Sequence, residues 1–416
     1  MDTIKSFIED LRLNSILGDA RLNRRMPELV RGIFENFGKP LSQIAATENE
    51  RVALYAFLAN NNVNPAHIIL SDRHRCIEEI KRTQPDTILV LHDTTELDYT
   101  GSRSAKDLGC LNYTNQKGYY LHSAVVCDTD GICMGVYDQR LHTRTVENLG
   151  KSKKRRYLPI CEKESQRWVA SFKEVIADLS GLQPEVTRVI NVADSEGDFF
   201  ELLQLGNLPN AHYIIRQKFD RKLAKPESEQ TIKAALAKAP VLGKTSIRVC
   251  DPDTQKEREV ELSLRATTVT INIPYRKDSK QNPLQPVTLN VVEAFENNPP
   301  ENTTPICWCL LTSLPVGNLE EALIVCNYYK LRWQKENFHL TLKEGGRLEY
   351  AKLNAKSLPN VIALYSIAAV QVLRLRQLNA KKPDAPVTEA GFETEDFELL
   401  EKMVESEKKK HLPPQN

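Results

Sequence analysis

Residues 87–100 read TILVLHDTTELDYT. The run from Thr87 to Leu91 is apolar and long enough for a buried strand, which turns polar at His92 and Asp93. GYYLHSAVVCDT (118–129) predicts a second strand and GICMGVYDQRLHTR (131–144) a third, joined by a turn from Asp128 to Gly131. The basic run KSKKRR (151–156) reads as a loop. A helix is expected over Glu162–Leu179, with apolar spacing at Trp168, Phe172, Val175 and Ile176. RVINVADSEGDFF (188–200) predicts a fourth strand ending at Asp194 with a short helix after it, and HYIIRQK (212–218) a fifth strand.

Three strands, helix, strand, helix, strand is an order with a chemical consequence. An antiparallel meander followed by strands that enter through helical crossovers fits an α/β core of the ribonuclease-H-like (retroviral-integrase-like) kind better than a doubly wound sheet. Residues from about 220 to 310 interrupt it as a β-rich insertion: a short helix at Ile232–Ala237, then strand-like runs at 245–250, 257–272 and 286–294 between polar loops. CWCLLTSL (307–314) returns as a buried strand. A long helix is expected over Asn318–Tyr350 and an amphipathic one over Leu358–Leu378. Roughly the last 35 residues are polar, charged and proline-containing, with little to pack.

Upstream, residues 1–85 read as all helical, with apolar periodicity in Ile4–Leu13, Met26–Phe37, Glu48–Ala59 and Pro65–Ile80. Asp19 can cap a helix carrying Arg21, Arg24 and Arg25, spaced three and four apart on one face. Such a face is either a merely soluble one or a dock for a phosphate backbone. The expected domains are therefore 1–85, 86–357 and 358–416.

Composition bounds the function. Among 416 residues, 56 Lys and Arg nearly balance 55 Asp and Glu, so a nucleic-acid site has to be local rather than a global field. Nine cysteines without a C-x-x-C pair read as reduced thiols of a cytoplasmic protein. MDTIKSFIEDLRL at the N-terminus does not have the form of a signal peptide, and no apolar run of about 18 residues suggests a membrane span.

Three acids carry the chemistry. Asp93 follows the first strand, Asp194 the fourth, and Glu336 lies on the long helix in YKLRWQKENFHLTLK (329–343). On a continuous helix Tyr329, Arg332, Glu336 and Lys343 share a stripe about 60° wide. Taken alone, that stripe reads equally as a solvated face with an Arg332–Glu336 pair, and each aspartate as a turn residue or cap. Together, in this strand order, they read as a carboxylate cluster. Converging carboxylates need cations, and oxygen ligands favour Mg²⁺ or Mn²⁺. Two such ions about 4 Å apart suit phosphodiester transfer.

The helix also matches Y-(2)-R-(3)-E-(6)-K at Tyr329, Arg332, Glu336 and Lys343. This resembles the signature of the insertion-sequence-four family of bacterial cut-and-paste DDE transposases, the Tn-five type most of all. HDTTELDYTG around Asp93 and VADSEGDFFELL around Asp194 resemble its two aspartate blocks, and KESQRW (163–168) and YIIRQK (213–218) resemble further family stretches. LGDARLNRR and ENERVALYAFLANNNVN (17–25 and 48–64) resemble its end-binding domain, so the similarity spans roughly residues 10–380 in order. The resemblance implies strand cleavage, hairpin formation and strand transfer, with Asp93, Asp194 and Glu336 holding two metal ions per active site. It implies transposon-end and target double-stranded DNA as partners, and a homodimer in a synaptic complex. Tyr329, Arg332 and Lys343 would grip the backbone. Trp308 would stack a flipped base, or else is a core aromatic. Arg216 would lie near the scissile phosphate, or else forms a structural salt bridge. His92 and His122 read as packing groups beside the strands.

Three features depart from the pattern. Leu340 stands where members of the group can carry a basic residue, and Ala56 where the end-binding domain has an arginine. Members usually continue into a helical dimerisation segment, whereas little follows Leu378 before HLPPQN (411–416). The region 358–416 then looks like a truncated dimerisation region. A non-catalytic DNA-binding remnant, or an inhibitor of transposition, stays open as the second reading. A junction resolvase of the same fold is a third.

Overall fold

The computed structural model describes residues 3–102, 105–150, 158–179, 187–224, 229–250, 257–274, 284–300, 303, 305–351 and 353–381. The basic run at 151–156, the polar tail beyond 381 and most of the loops within the insertion lie outside the described residues.

Four helices come first: α1 (Thr3–Leu13), α2 (Ala20–Glu35), α3 (Glu48–Ala59) and α4 (Pro65–Thr83). Their starts are chemically marked. Asp19 accepts from the Arg21 amide, Thr47 and Glu50 form a capping box, and Asn64 caps a helix with proline in its first turn. Met26, Leu29, Val30 and Ile33 recur at helical spacing on α2 and are buried.

The strands are β1 (Thr87–Asp98), β2 (Gly118–Asp128), β3 (Cys133–His142), β4 (Arg188–Ala193), β5 (His212–Arg216), β6 (Val241–Cys250), β7 (Glu257–Ile271), β8 (Val287–Glu296) and β9 (Cys307–Thr312). Helix α5 (Gln166–Leu179) and the short α6 (Phe200–Leu203) flank β4, and α7 (Ile232–Lys238) precedes β6. Among the described residues these strands form one sheet, in the order β3-β2-β1-β4-β5-β9-β8-β7-β6. β4 runs parallel to β1 and β5 parallel to β4, and the other pairings are antiparallel. The protein is mixed α/β. The insertion strands do not form a separate body: they join the first five through β9, which pairs with both β5 and β8.

Alternation along β1 sorts the sheet's two faces. Leu89 and Leu91 enter a core shared with the N-terminal helices, whereas Ile88 and Val90 meet Val175 and Leu179 of α5. The final described helix, α10 (Leu358–Lys381), is long and apolar enough to cross a membrane by composition. It lies instead inside the protein, with 78% of its most apolar window buried, packed on β3, α2 and α4.

One expectation is corrected. The stretch Asn318–Tyr350 is not a single helix. It divides into α8 (Leu319–Lys330), a tight turn through Leu331 and Arg332, α9 (Trp333–Leu340), a π-type turn over Thr341–Gly345 and a single 3₁₀ turn at Leu348–Tyr350. No glycine or proline precedes Gly345 there, so tertiary packing overrides a helix-compatible sequence. α8 seats on β5, β7, β8 and β9, while α9 seats on β1 and α10, two different places on a twisted sheet.

A buried ion network locks α4 to the sheet. Arg75 Nε donates to Asp72 at 2.6 Å and Nη1 to Glu79 at 2.8 Å, and Glu79 also holds Arg374 of α10 at 2.7 Å. Asp72 accepts from the Val136 amide, and Arg75 donates to the Met134 carbonyl. The strand can come this close because residue 135 is glycine. A Cβ there would collide with the Arg75 and Cys76 side chains. Removing one partner leaves a buried charge unanswered. Asp72→Ala is therefore expected to cost about 3–5 kcal/mol, read as a lowered urea midpoint with the slope unchanged.

Candidate active site

The parallel register of β1 and β4 builds the centre. His92 pairs with Ala193, so Asp93 and Asp194 are the next residues on adjacent strands. β4 ends there, and the Asp194 carboxylate caps the following turn by accepting from the Glu196 amide at 2.9 Å. Asp93 continues along β1, its Oδ1 accepting from the Thr94 amide at 2.7 Å. Alternation puts His92 on the opposite face, where it packs on Phe172 and hydrogen-bonds Asn191 at 2.9 Å. His122 packs on Trp168. Both imidazoles are structural, as expected.

Helix α9 brings the third acid. Arg332, just before α9, donates to Asp93 Oδ2 at 3.4 Å and to Glu336 Oε1 at 3.1 Å. The guanidinium thus joins the two carboxylates. Lys335 is wholly buried, with its Nζ 2.5 Å from the oxygen of Ser123, the residue paired with Asp93 across β2. Burial and the Asp194 charge push the Asp93 carboxyl up to about 7. Burial pulls the Lys335 ammonium down to about 7, against the pull of Asp93.

The remaining signature residues divide. Tyr329, on α8, is buried with its ring edge-on to Trp308 at 6.2 Å. Trp308 is partly buried, packed against the edge of the core. Lys343 lies within the π-type turn, 3.6 Å from Glu349. The expected single stripe of Tyr329, Arg332, Glu336 and Lys343 is thus corrected. The break before α9 and the turn after it interrupt the continuous helix, yet Tyr329 still hydrogen-bonds Arg332 and Arg332 reaches Glu336, while Lys343 pairs with Glu349. Arg216 is exposed at the end of β5. In the N-terminal unit, Arg21 folds onto Asp19 at 3.2 Å yet stays largely exposed, Arg24 is exposed and Arg25 half-buried.

Three neighbours escaped the sequence reading. Trp333, beside Arg332, is exposed, and Lys335 is the buried cation behind Asp93. His339 lies one turn after Glu336. One ligand atom each from Asp93, Glu336 and His339 lies within 4.8 Å of the others, a grouping from which Asp194 is absent. The spacing Glu336-x-x-His339 was visible in the sequence and puts both on one helix face.

Residues 4–63 match the protein family described as "Transposase DNA-binding". The match covers α1, α2 and α3 with Arg21, Arg24 and Arg25, and it supports a transposase with DNA as its partner.

A carboxyl raised in the folded chain contributes stability below the ordinary aspartate range near 3.9, and that contribution is lost as pH rises through about 7. Metal-free protein should accordingly lose stability across this window. Asp194→Asn should move the Asp93 titration down. Carbon-13 NMR of the labelled carboxyl checks both the midpoint and the shift.

Proposed function

We propose that the protein is a DDE transposase of the cut-and-paste kind, resembling the insertion-sequence-four family, with a ribonuclease-H-like catalytic core. One observation carries this reading: the β1–β4 register brings Asp93 and Asp194 together, and Arg332 joins Asp93 to Glu336 of α9, in a chain whose first helices match a transposase DNA-binding family. The topology agrees, since an antiparallel β3-β2-β1 meander is followed by parallel β4 and β5.

The donor set suits divalent cations, with carboxylate oxygens of two acids in one group and a third acid beside them. Asp93, Asp194 and Glu336 would hold them. Once bound, such ions activate an attacking oxygen and stabilise the leaving oxygen of a phosphodiester. The chain's own residues do the rest. Asp93 is fixed by strand pairing and the Thr94 amide, so it needs little reorganisation. Arg332 places a guanidinium where a phosphate would approach the acids. Trp308, only partly buried, would stack on a base taken out of the duplex, a contact worth ~1–3 kcal/mol. α2 presents Arg21 and Arg24 outward for the end-binding contact. The reaction is a series of in-line displacements: water nicks the end, the freed 3′-hydroxyl attacks the opposite strand, water opens the hairpin, and 3′-hydroxyls join the target.

Cleavage of DNA carrying the inverted repeats that flank the gene tests this reading, with Mg²⁺ or Mn²⁺ supplied. Asp93→Ala, Asp194→Ala and Glu336→Ala should each abolish nicks and hairpins while a gel-shift still reports end binding. Cleavage surviving any one of them would refute the assignment. A retarded band without product in the wild-type chain would favour a DNA-binding protein that does not cut. Arg332→Ala should depress hairpin formation more than first nicking, which single-turnover gels resolve.

A further inference from the structure

We propose that His339 is a ligand of the same cation site, and that it gives this site a preference for a divalent transition ion, Mn²⁺ foremost, over Mg²⁺. The inference rests on the metal-dependent reading above and refines it.

Four observations lead there. His339 is only 6% exposed, and its Nε2 is buried without a hydrogen-bond partner among the described residues. A buried ring nitrogen left unanswered is costly in a native fold unless something outside the chain answers it. Its ligand atom lies within 4.8 Å of oxygens from both Asp93 and Glu336. Its place three residues after Glu336 in α9 is the Glu-x-x-His arrangement by which one helix face presents a carboxylate and an imidazole together. The groups around it keep the ring in its ligand form. Burial first, then the charges of Lys335, Lys343 and Arg332, hold its pKa well below the usual range, so the imidazole is neutral.

The donor chemistry then selects the ion. Mg²⁺ prefers oxygen and sheds its waters reluctantly. An imidazole beside two carboxylates adds affinity for first-row transition ions. The other role open to His339 is packing, since its ring lies 5.8 Å from that of Phe338. The two roles differ in one observable, whether a nitrogen touches the ion.

The experiment is pulsed EPR of the full-length chain with Mn²⁺ alone, unlabelled and with nitrogen-15 histidine. The expected result is nitrogen modulation that changes on labelling and vanishes in His339→Ala. Mn²⁺ affinity in that variant should fall at least about tenfold, the loss that even an outer-shell partner costs a metal site, while Mg²⁺ affinity changes little. The wild-type spectrum needs no variant, so a poorly folded mutant cannot rescue the idea. Bound Mn²⁺ without nitrogen modulation, lost in Glu336→Gln, would overturn the role of His339 and leave the carboxylate site standing. Absence of Mn²⁺ binding to the wild-type chain would overturn both.

Discussion

Carboxylates cannot gather in a half-buried corner unless positive charge stands among them. Asp93 follows His92 on β1 and Asp194 follows Ala193 at the end of β4, and the β1–β4 register pairs His92 with Ala193, which brings the two acids together. Their repulsion, added to desolvation, is what raises the Asp93 carboxyl. Arg332 answers this from the solvent side and Lys335 from within the sheet. Much of the local architecture follows from that requirement. The turn at Leu331 and Arg332 delivers the guanidinium, and the first turn of α9 drives a lysine into a position with no exposure at all. A buried lysine is tolerated there because the Ser123 hydroxyl accepts a hydrogen bond from it and the Phe338 ring lies 4.5 Å from its nitrogen.

The same constraint explains why the two faces of β1 differ so sharply. One residue apart, His92 sits in a packed aromatic layer with Phe172, His122 and Trp168, and Asp93 faces the Arg332 guanidinium. A register slip of one residue would exchange them. The register is held by eleven consecutive paired positions between β1 and β2 and by the parallel pairing with β4. Rigidity at the acids is thus a property of the sheet, not of the loops.

Much of this could be read from the sequence, and the reasons are local. α3 falls where apolar periodicity puts it, Glu48–Ala59, and in the folded chain Thr47 and Glu50 close its start with a capping box. β1, β4 and β9 announce themselves as apolar runs. What the sequence hides is anything decided between distant segments. The break in Asn318–Tyr350 has no local cause, so a helical wheel drawn through it shows neither the turn at Leu331 and Arg332 nor the pairing of Lys343 with Glu349. Lys335 reads as one more helix-surface lysine until its partner, 212 positions away in sequence, is known. Asp194 was legible as a strand-end acid, whereas Asp93, expected at the end of its strand, lies inside β1, which runs on to Asp98. Their adjacency depended on the strand order being right.

The sharing of one core has a further consequence for how DNA contacts and chemistry can be coordinated. The helices that match a transposase DNA-binding family do not hang from a linker. Met26, Ile33 and Leu54 belong to the same apolar cluster as Phe338, Leu342 and the α10 residues Val361 and Leu364. Phe37 packs on Tyr365, and a Cβ at Gly38 would meet the Gly345 carbonyl in the turn that ends the α9 segment. Asn360 of α10 donates to the Leu58 carbonyl at the end of α3. With charge nearly balanced over the whole chain, no broad field steers a duplex, and local contacts have to set its position. On the proposed reading, a duplex held by α2 is therefore held in a fixed relation to the carboxylates. The distance between grip and cut is set by packing, and substitutions in the shared core, far from either surface, would disturb it.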